Sequence, residues 1–200
     1  MRSTGYLLIS LFVLGAGWLS CSQDAGGQAA GFPDYVVQIA LDGSPVELAG
    51  ITFTPPGDWT SFRPSGMRKA SYAFGPLDGD ADSATATVFY FGRGSGGDID
   101  ANIQRWVGQM SPEGGSGPAI ERKQLAVGRM KVHTVEMVGT FSAGGMMGGP
   151  TVAKTGYFMS GAVLEGPEGN VFFKLTGPEK TAREMNKGFL AMIARVKSGA

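Results

Sequence analysis

Cysteine and histidine are almost missing from this 200-residue chain, which has one of each, Cys21 and His133. A lone cysteine excludes a disulfide within the chain, and a lone histidine excludes a multi-histidine metal site. No C-x-x-C, H-E-x-x-H or G-x-S-x-G run occurs, so the common redox, zinc and serine-hydrolase signatures are lacking. Net charge is lacking too, since 17 basic residues balance 17 acidic ones. Without a basic excess there is no electrostatic case for nucleic acid, and none is expected as a partner. What the chain has in excess is glycine, 33 residues of 200, which marks turns and flexible loops. An apolar share of 42% suffices for one packed domain.

The longest apolar run is "YLLISLFVLGAGWL", Tyr6 to Leu19, preceded by Arg2 and followed by Ser20 and Cys21. It has the length of a signal-peptide core and is shorter than the roughly 20 residues a spanning helix needs. It resembles a bacterial lipoprotein signal, in which a small residue precedes a cysteine that is acylated and becomes the first mature residue. Leu19 and Ser20 match that pattern, while Trp18 stands where it has an aliphatic residue. The resemblance implies lipidation at Cys21, a membrane as partner through the lipid, and an extracytoplasmic place in the cell envelope. Ser22, where an aspartate would favour inner-membrane retention, leans toward the outer membrane of a Gram-negative cell. The alternative is an ordinary secretory signal or uncleaved anchor, with Cys21 incidental. Residues 1–20 are thus expected to be a signal, 21–33 a small, polar, glycine-rich tether, and 34–200 a single domain.

Within the domain, "YVVQIAL" (Tyr35 to Leu41) is β-branched and reads as a strand. With the Asp42-Gly43-Ser44-Pro45 turn and "VELAG" it predicts a hairpin. "ITF", "MRKASYAF", "ATATVFYF", "ERKQLAV", "MKVHTVEMVGTF", "GYFMSGAVLE" and "NVFFKLTG" have strand composition or alternation. Two stretches change period. Ile99, Ile103, Trp106, Val107 and Met110 form one helical face, with Asp98 as its cap. Ala182, Met185, Phe189, Met192, Ile193 and Val196 form another, after Pro178. Strands joined by short turns, with two amphipathic helices to bury, predict an α+β fold.

The opening strand and "PPGDW", the mid-chain helix with Trp106, the long hairpins and the closing helix after "FFKLTGPEK" resemble the Mog1/PsbP-like group. Within that group they look more like a bacterial branch found in predicted lipoproteins. The resemblance covers about residues 50–197 and implies an antiparallel sheet flanked by helices on both faces, an α/β/α sandwich. It implies a largely non-catalytic role, since known members assist assembly of a photosystem or bind a small GTPase. No functional residue carries over. The matching Trp59, Trp106 and Phe189 are expected in the core.

Four features are candidates for chemistry. Gly92, Gly94 and Gly97 spell G-x-G-x-x-G between a strand and a helix, where a phosphate loop would sit. Asp98 and Asp100 oppose an anion there, and the hairpins that follow are not a parallel βαβ unit, so a plain loop is the expectation. Asp78, Asp80 and Asp82 alternate like the start of a calcium loop, but Ser83 and Phe89 occupy the sixth and twelfth positions, so a solvated turn is expected. His133 lies on a strand face with Lys131 and Val135, with Glu136 opposite and no nucleophile in view, so it reads as structural. "AGGMMGGP" puts two adaptable apolar side chains, Met146 and Met147, among glycines, a candidate partner-binding loop when not simply disordered. No catalytic residue, metal or cofactor is assigned. The expectation is a lipid-anchored envelope protein that binds or helps assemble a protein partner. The alternative is an enzyme or small-molecule binder with a pocket between the sheet and a helix.

Overall fold

A computed structural model describes residues 29–112, 119–143 and 152–199. In chain order the elements are β1 (Ala29–Ala30), a 3-10 turn (Asp34–Val37), β2 (Val46–Leu48), β3 (Ile51–Phe53), β4 (Thr60–Ser61), β5 (Arg68–Phe74) and β6 (Ala84–Tyr90). There follow α1 (Ile99–Val107), β7 (Met110–Ser111), β8 (Glu121–Val127), β9 (Met130–Ala143), β10 (Val152–Gly166), β11 (Gly169–Pro178), α2 (Glu179–Ala194) and β12 (Lys197–Ser198). Among the described residues nine strands make one sheet in the order β1-β8-β9-β10-β11-β6-β5-β4, with β7 also on β9. All its pairings are antiparallel. A three-stranded sheet, β12-β3-β2, lies beside it. The class is α+β, as the sequence predicts.

Two apolar clusters share the central strands. Phe158, Ala162, Leu164, Val171, Phe173 and Leu175 pack with Ala182, Met185, Phe189, Met192 and Ile193 of α2. Met159, Val163 and Phe172 pack instead with Ile103 and Trp106 of α1. Along β10 and β11 membership alternates residue by residue, which follows from the two-residue period of a strand. Both helical faces read from the sequence are therefore used. Each fully buried Phe, Leu, Met or Ile contributes about 1.5–3 kcal/mol, so α2 is held mainly by its stripe. Trp59, Trp106 and Phe189 are all buried.

Helix α1 starts as read, the Asp98 carboxylate accepting the Ala101 amide at 3.0 Å. Its Trp106 lies on Gly161 of β10, where any Cβ would collide with the indole ring. The glycine loop before α1 is packed against aromatics, since a Cβ on Gly96 would stand 2.8 Å from Phe172 and 2.9 Å from Phe91.

Two expectations change. "YVVQIAL" is not a strand. Residues 34–37 form a 3-10 turn in which the Val36 amide bonds Pro33 O and the Gln38 amide bonds Tyr35 O, and only Val36 is buried. Local bonds satisfy this backbone, so no strand partner is recruited. The hairpin there falls one segment later, between β2 and β3, around Ala49 and Gly50. The Asp42–Gly43 stretch docks on the proline turn instead, with Gly43 N bonded to Pro55 O and the Asp42 carboxylate accepting from Gly57 N. The start of the fold also differs. Ala29 and Ala30, inside the expected tether, pair with Val127 and Ala126, and Phe32 packs on the core. Two small residues suffice to extend the sheet here because β8 offers an unpaired edge.

Candidate functional site

Polar and aromatic side chains gather at the end of the sheet from which β9 and β10 run on into residues 144–151. Phe141 of β9 and Tyr157 of β10 stack, with ring centroids 5.9 Å apart and planes 7° from parallel. Lys154 pairs with Phe141 across the ladder, whereas Tyr157 pairs with Gly139, so the register slips by one between them. Three residues apart on a regular strand, Lys154 and Tyr157 would face opposite ways. The extra residue of this bulge turns them to the same side. Both then donate to one oxygen of Asp82, each at 2.7 Å, and the Lys154 ammonium stands 5.5 Å from the Tyr157 ring centre. Those bonds, that from Lys154 foremost, hold the Asp82 carboxyl below its usual range and Lys154 above its own. Burial, aided by Asp82, raises the Tyr157 phenol.

Lys174 of β11 continues the cluster. Its ammonium lies 5.2 Å from the centre of the Phe141 ring and donates to the side-chain oxygen of Gln109, just past α1. Burial, helped by the nearby charge of Arg105, pushes it down to about 8. Arg105, exposed on the last turn of α1, donates to the Asn102 side-chain oxygen. The set offers three cations, one carboxylate and an aromatic pair. That chemistry suits gripping an anionic or hydrogen-bonding partner. A lysine near 8 is also partly neutral just above neutral pH and so a nucleophile.

The residues singled out in the sequence fall in several places. Cys21, Met146 and Met147 lie outside the described residues, although the two methionines belong to the stretch that joins β9 to β10. Asp78, Asp80 and Asp82 lie in a solvated turn between β5 and β6, as expected, and two of the three carboxylates have partners. Asp80 caps α2 through Thr181, at 2.9 Å from its amide and 2.5 Å from its hydroxyl, and Asp82 is in the cluster above. Among the described residues no group of three or more His, Cys, Asp or Glu is placed to hold a metal. His133 Nε2 is 2.7 Å from Glu165 Oε1. No nucleophile is bonded to either among the described residues. Glu136 accepts from Asn186 of α2 at 2.9 Å. Between the sheet and α2 a pocket of about 30 Å³, lined by Lys123, Thr134, Glu136 and Leu190, has the size of a water molecule rather than a metabolite.

Sequence reasoning missed Lys174, Phe141 and Tyr157. One signal was there: Lys174 interrupts "VFFKL", a run buried on both faces, where a charge is out of place. Among the described residues no helix is long and apolar enough to cross a membrane.

No family model matches the sequence, and no curated protein sequence matches it. Among solved structures the chain is similar to the crystal structure of LpqN, involved in cell envelope biogenesis of Mycobacterium tuberculosis. The identity is 12% and the TM-score 0.49, over 80% of this chain and 86% of that one. It is also similar to a crystal structure from Bacteroides thetaiotaomicron VPI-5482, at 11% identity and TM-score 0.32. That overlap covers 79% of this chain and about half, 49%, of the other. Similarity this loose carries no functional inference.

Proposed function

We propose that this chain is a lipid-anchored cell-envelope protein, held on the extracytoplasmic side by an acylated Cys21, whose domain binds or helps assemble a protein partner without catalysis. In a Gram-negative cell the outer membrane is its place, on the strength of Ser22. The observation that supports this reading best is the direction of the strands. The first described strand begins at Ala29, opposite Val127 and so beside the turn between β8 and β9. The Phe141–Tyr157–Lys174 cluster lies toward the other end of β9, whose 14 residues span about 45 Å. A domain tied at one end is free to offer the other. We also read the fold as a sheet with a helix on each face, in the manner of the Mog1/PsbP-like group. The alternation of the two apolar clusters along β10 and β11 supports this.

The test is metabolic labelling with a palmitate analogue in the native host. The wild-type chain takes up label and Cys21→Ala does not. Equal labelling of Cys21→Ala would refute the anchor. For the working end, a photo-crosslinking residue at Phe141 captures protein where one at Arg129, near the tether, does not. Capture at Arg129 alone reverses the orientation.

A further inference from the structure

We propose that Arg105 and Lys174 form the two sides of a site for an oxyanion, a carboxylate or phosphate group of a ligand, with Gln109 between them and the Phe141 ring as its apolar wall. The inference concerns the domain alone and holds whether or not Cys21 is acylated.

Arg105 and Gln109 are four positions apart on and just beyond α1, which puts them on one side of that helix. Gln109 turns its amide oxygen to the Lys174 ammonium. Its amide nitrogen, without a partner among the described residues, is left to donate. Arg105 is held by another amide, that of Asn102. The two cations are thus positioned by neutral groups. Among the described residues neither has a carboxylate within salt-bridge distance, and Lys174 differs from the other unpaired cations in that burial lowers it to about 8.

The charge of Arg105, exposed on α1, acts on the buried ammonium of Lys174 on β11, where solvent screens the repulsion only in part. The C-terminal end of the α1 dipole offsets about half a charge, which leaves the pair unbalanced. An oxyanion between them completes the balance and accepts from the guanidinium fork, the ammonium and the Gln109 amide, all charge-assisted or neutral donors. Burial first, and the charge of Arg105 second, lower Lys174, and an anion bound between the two cations would raise it. Nearby Asp82 does not supply this charge, because Lys154 and Tyr157 already occupy its oxygen.

The experiment is an NMR titration of the full chain in a neutral detergent, with inorganic phosphate in one arm and acetate in the other. It follows the Gln109 side-chain amide and the Lys174 side chain. Saturating shifts with either anion are expected, and the anion that saturates at lower concentration assigns the class. Arg105→Gln and Lys174→Gln should each weaken binding at least tenfold while leaving the backbone spectrum folded, and Arg105→Lys should keep most of it. A second readout separates a site from a structural pair. Arg105→Gln should not lower the melting temperature without anion, since it removes repulsion. Linear shifts without saturation in both arms, or saturation unchanged in Arg105→Gln and Lys174→Gln, would overturn the proposal.

Discussion

One carboxylate oxygen of Asp80, in the turn between β5 and β6, takes both the backbone amide and the hydroxyl of Thr181 in the first turn of α2. The residue before that helix is Pro178, whose side chain cannot cap, so the cap comes from elsewhere in the chain. The Thr181 hydroxyl passes the connection on by accepting the Leu77 amide at 3.0 Å. The Thr181 hydroxyl bond, and then its amide bond, hold the Asp80 carboxyl below its usual range. Such a group stabilises the fold above the ordinary carboxylate range and loses that contribution as pH falls through its lowered value. Asp80→Ala should lower the melting temperature at pH 7 by about 2–4 °C, and the gap should narrow toward pH 3. A gap that is unchanged in acid would show that the ionised cap is not what matters.

Gly161 and Trp106 form a lock between β10 and α1. Gly161→Ala should destabilise by about 1–3 kcal/mol, because the indole has no room to retreat. Trp106→Leu alone leaves a hole. The pair together should cost less than the sum of the two, by an interaction of about 0.5–3 kcal/mol. Strict additivity in urea unfolding would mean that the two positions do not touch.

Lys174 gives a pH dependence of the same direction as Asp80 but in the alkaline range, because here the ionised form is the costly one. Its folded value, about 8, lies below that of a free lysine, so the fold is strained by the charged form at neutral pH and relaxes as pH rises from about 8 to 10.5. Lys174→Met should therefore be more stable than the wild type at pH 7, with the difference shrinking by pH 10. Melting curves of the two chains side by side decide it. A wild type that is the more stable one at pH 7 would contradict the burial argument.

Ser160 is fully buried on β10, and its hydroxyl has no partner among the described residues. Ser160→Ala removes an unsatisfied polar group, so it should be neutral or raise stability by up to about 1 kcal/mol. A clear loss of stability in denaturant titrations would reveal a hydrogen bond there after all.

The parts of the fold that the sequence disclosed are those governed by short-range pattern. The cap at Asp98, the stripe of α2 and the alternation in "MKVHTVEMV" are each written within one short, continuous segment. "YVVQIAL" misled because β-branched composition speaks for a strand only where an edge is free to pair, and Pro33 together with local bonds takes the chain into a 3-10 turn. The aspartates after Leu77 lie in the solvated turn expected, but the contacts of two of them could not be read locally. Their partners are remote, Thr181 lying 101 positions from Asp80 and Tyr157 lying 75 from Asp82. The candidate site is of this second kind. Lys174 meets Gln109 across 65 positions, and the bulge that turns Lys154 and Tyr157 together has no signature beyond Gly156.

The pairing of Ala29 with Val127 also sets a radius of action. From Cys21 to Ala29 the chain spans at most about 28 Å when fully drawn out. Were Cys21 acylated as proposed, the domain would act as a short-armed sentry at the bilayer surface. Adding the length of β9, its far end sweeps a shell no deeper than about 75 Å. Confinement to that shell would raise its concentration toward membrane neighbours at any given copy number, and beyond it the protein could not reach.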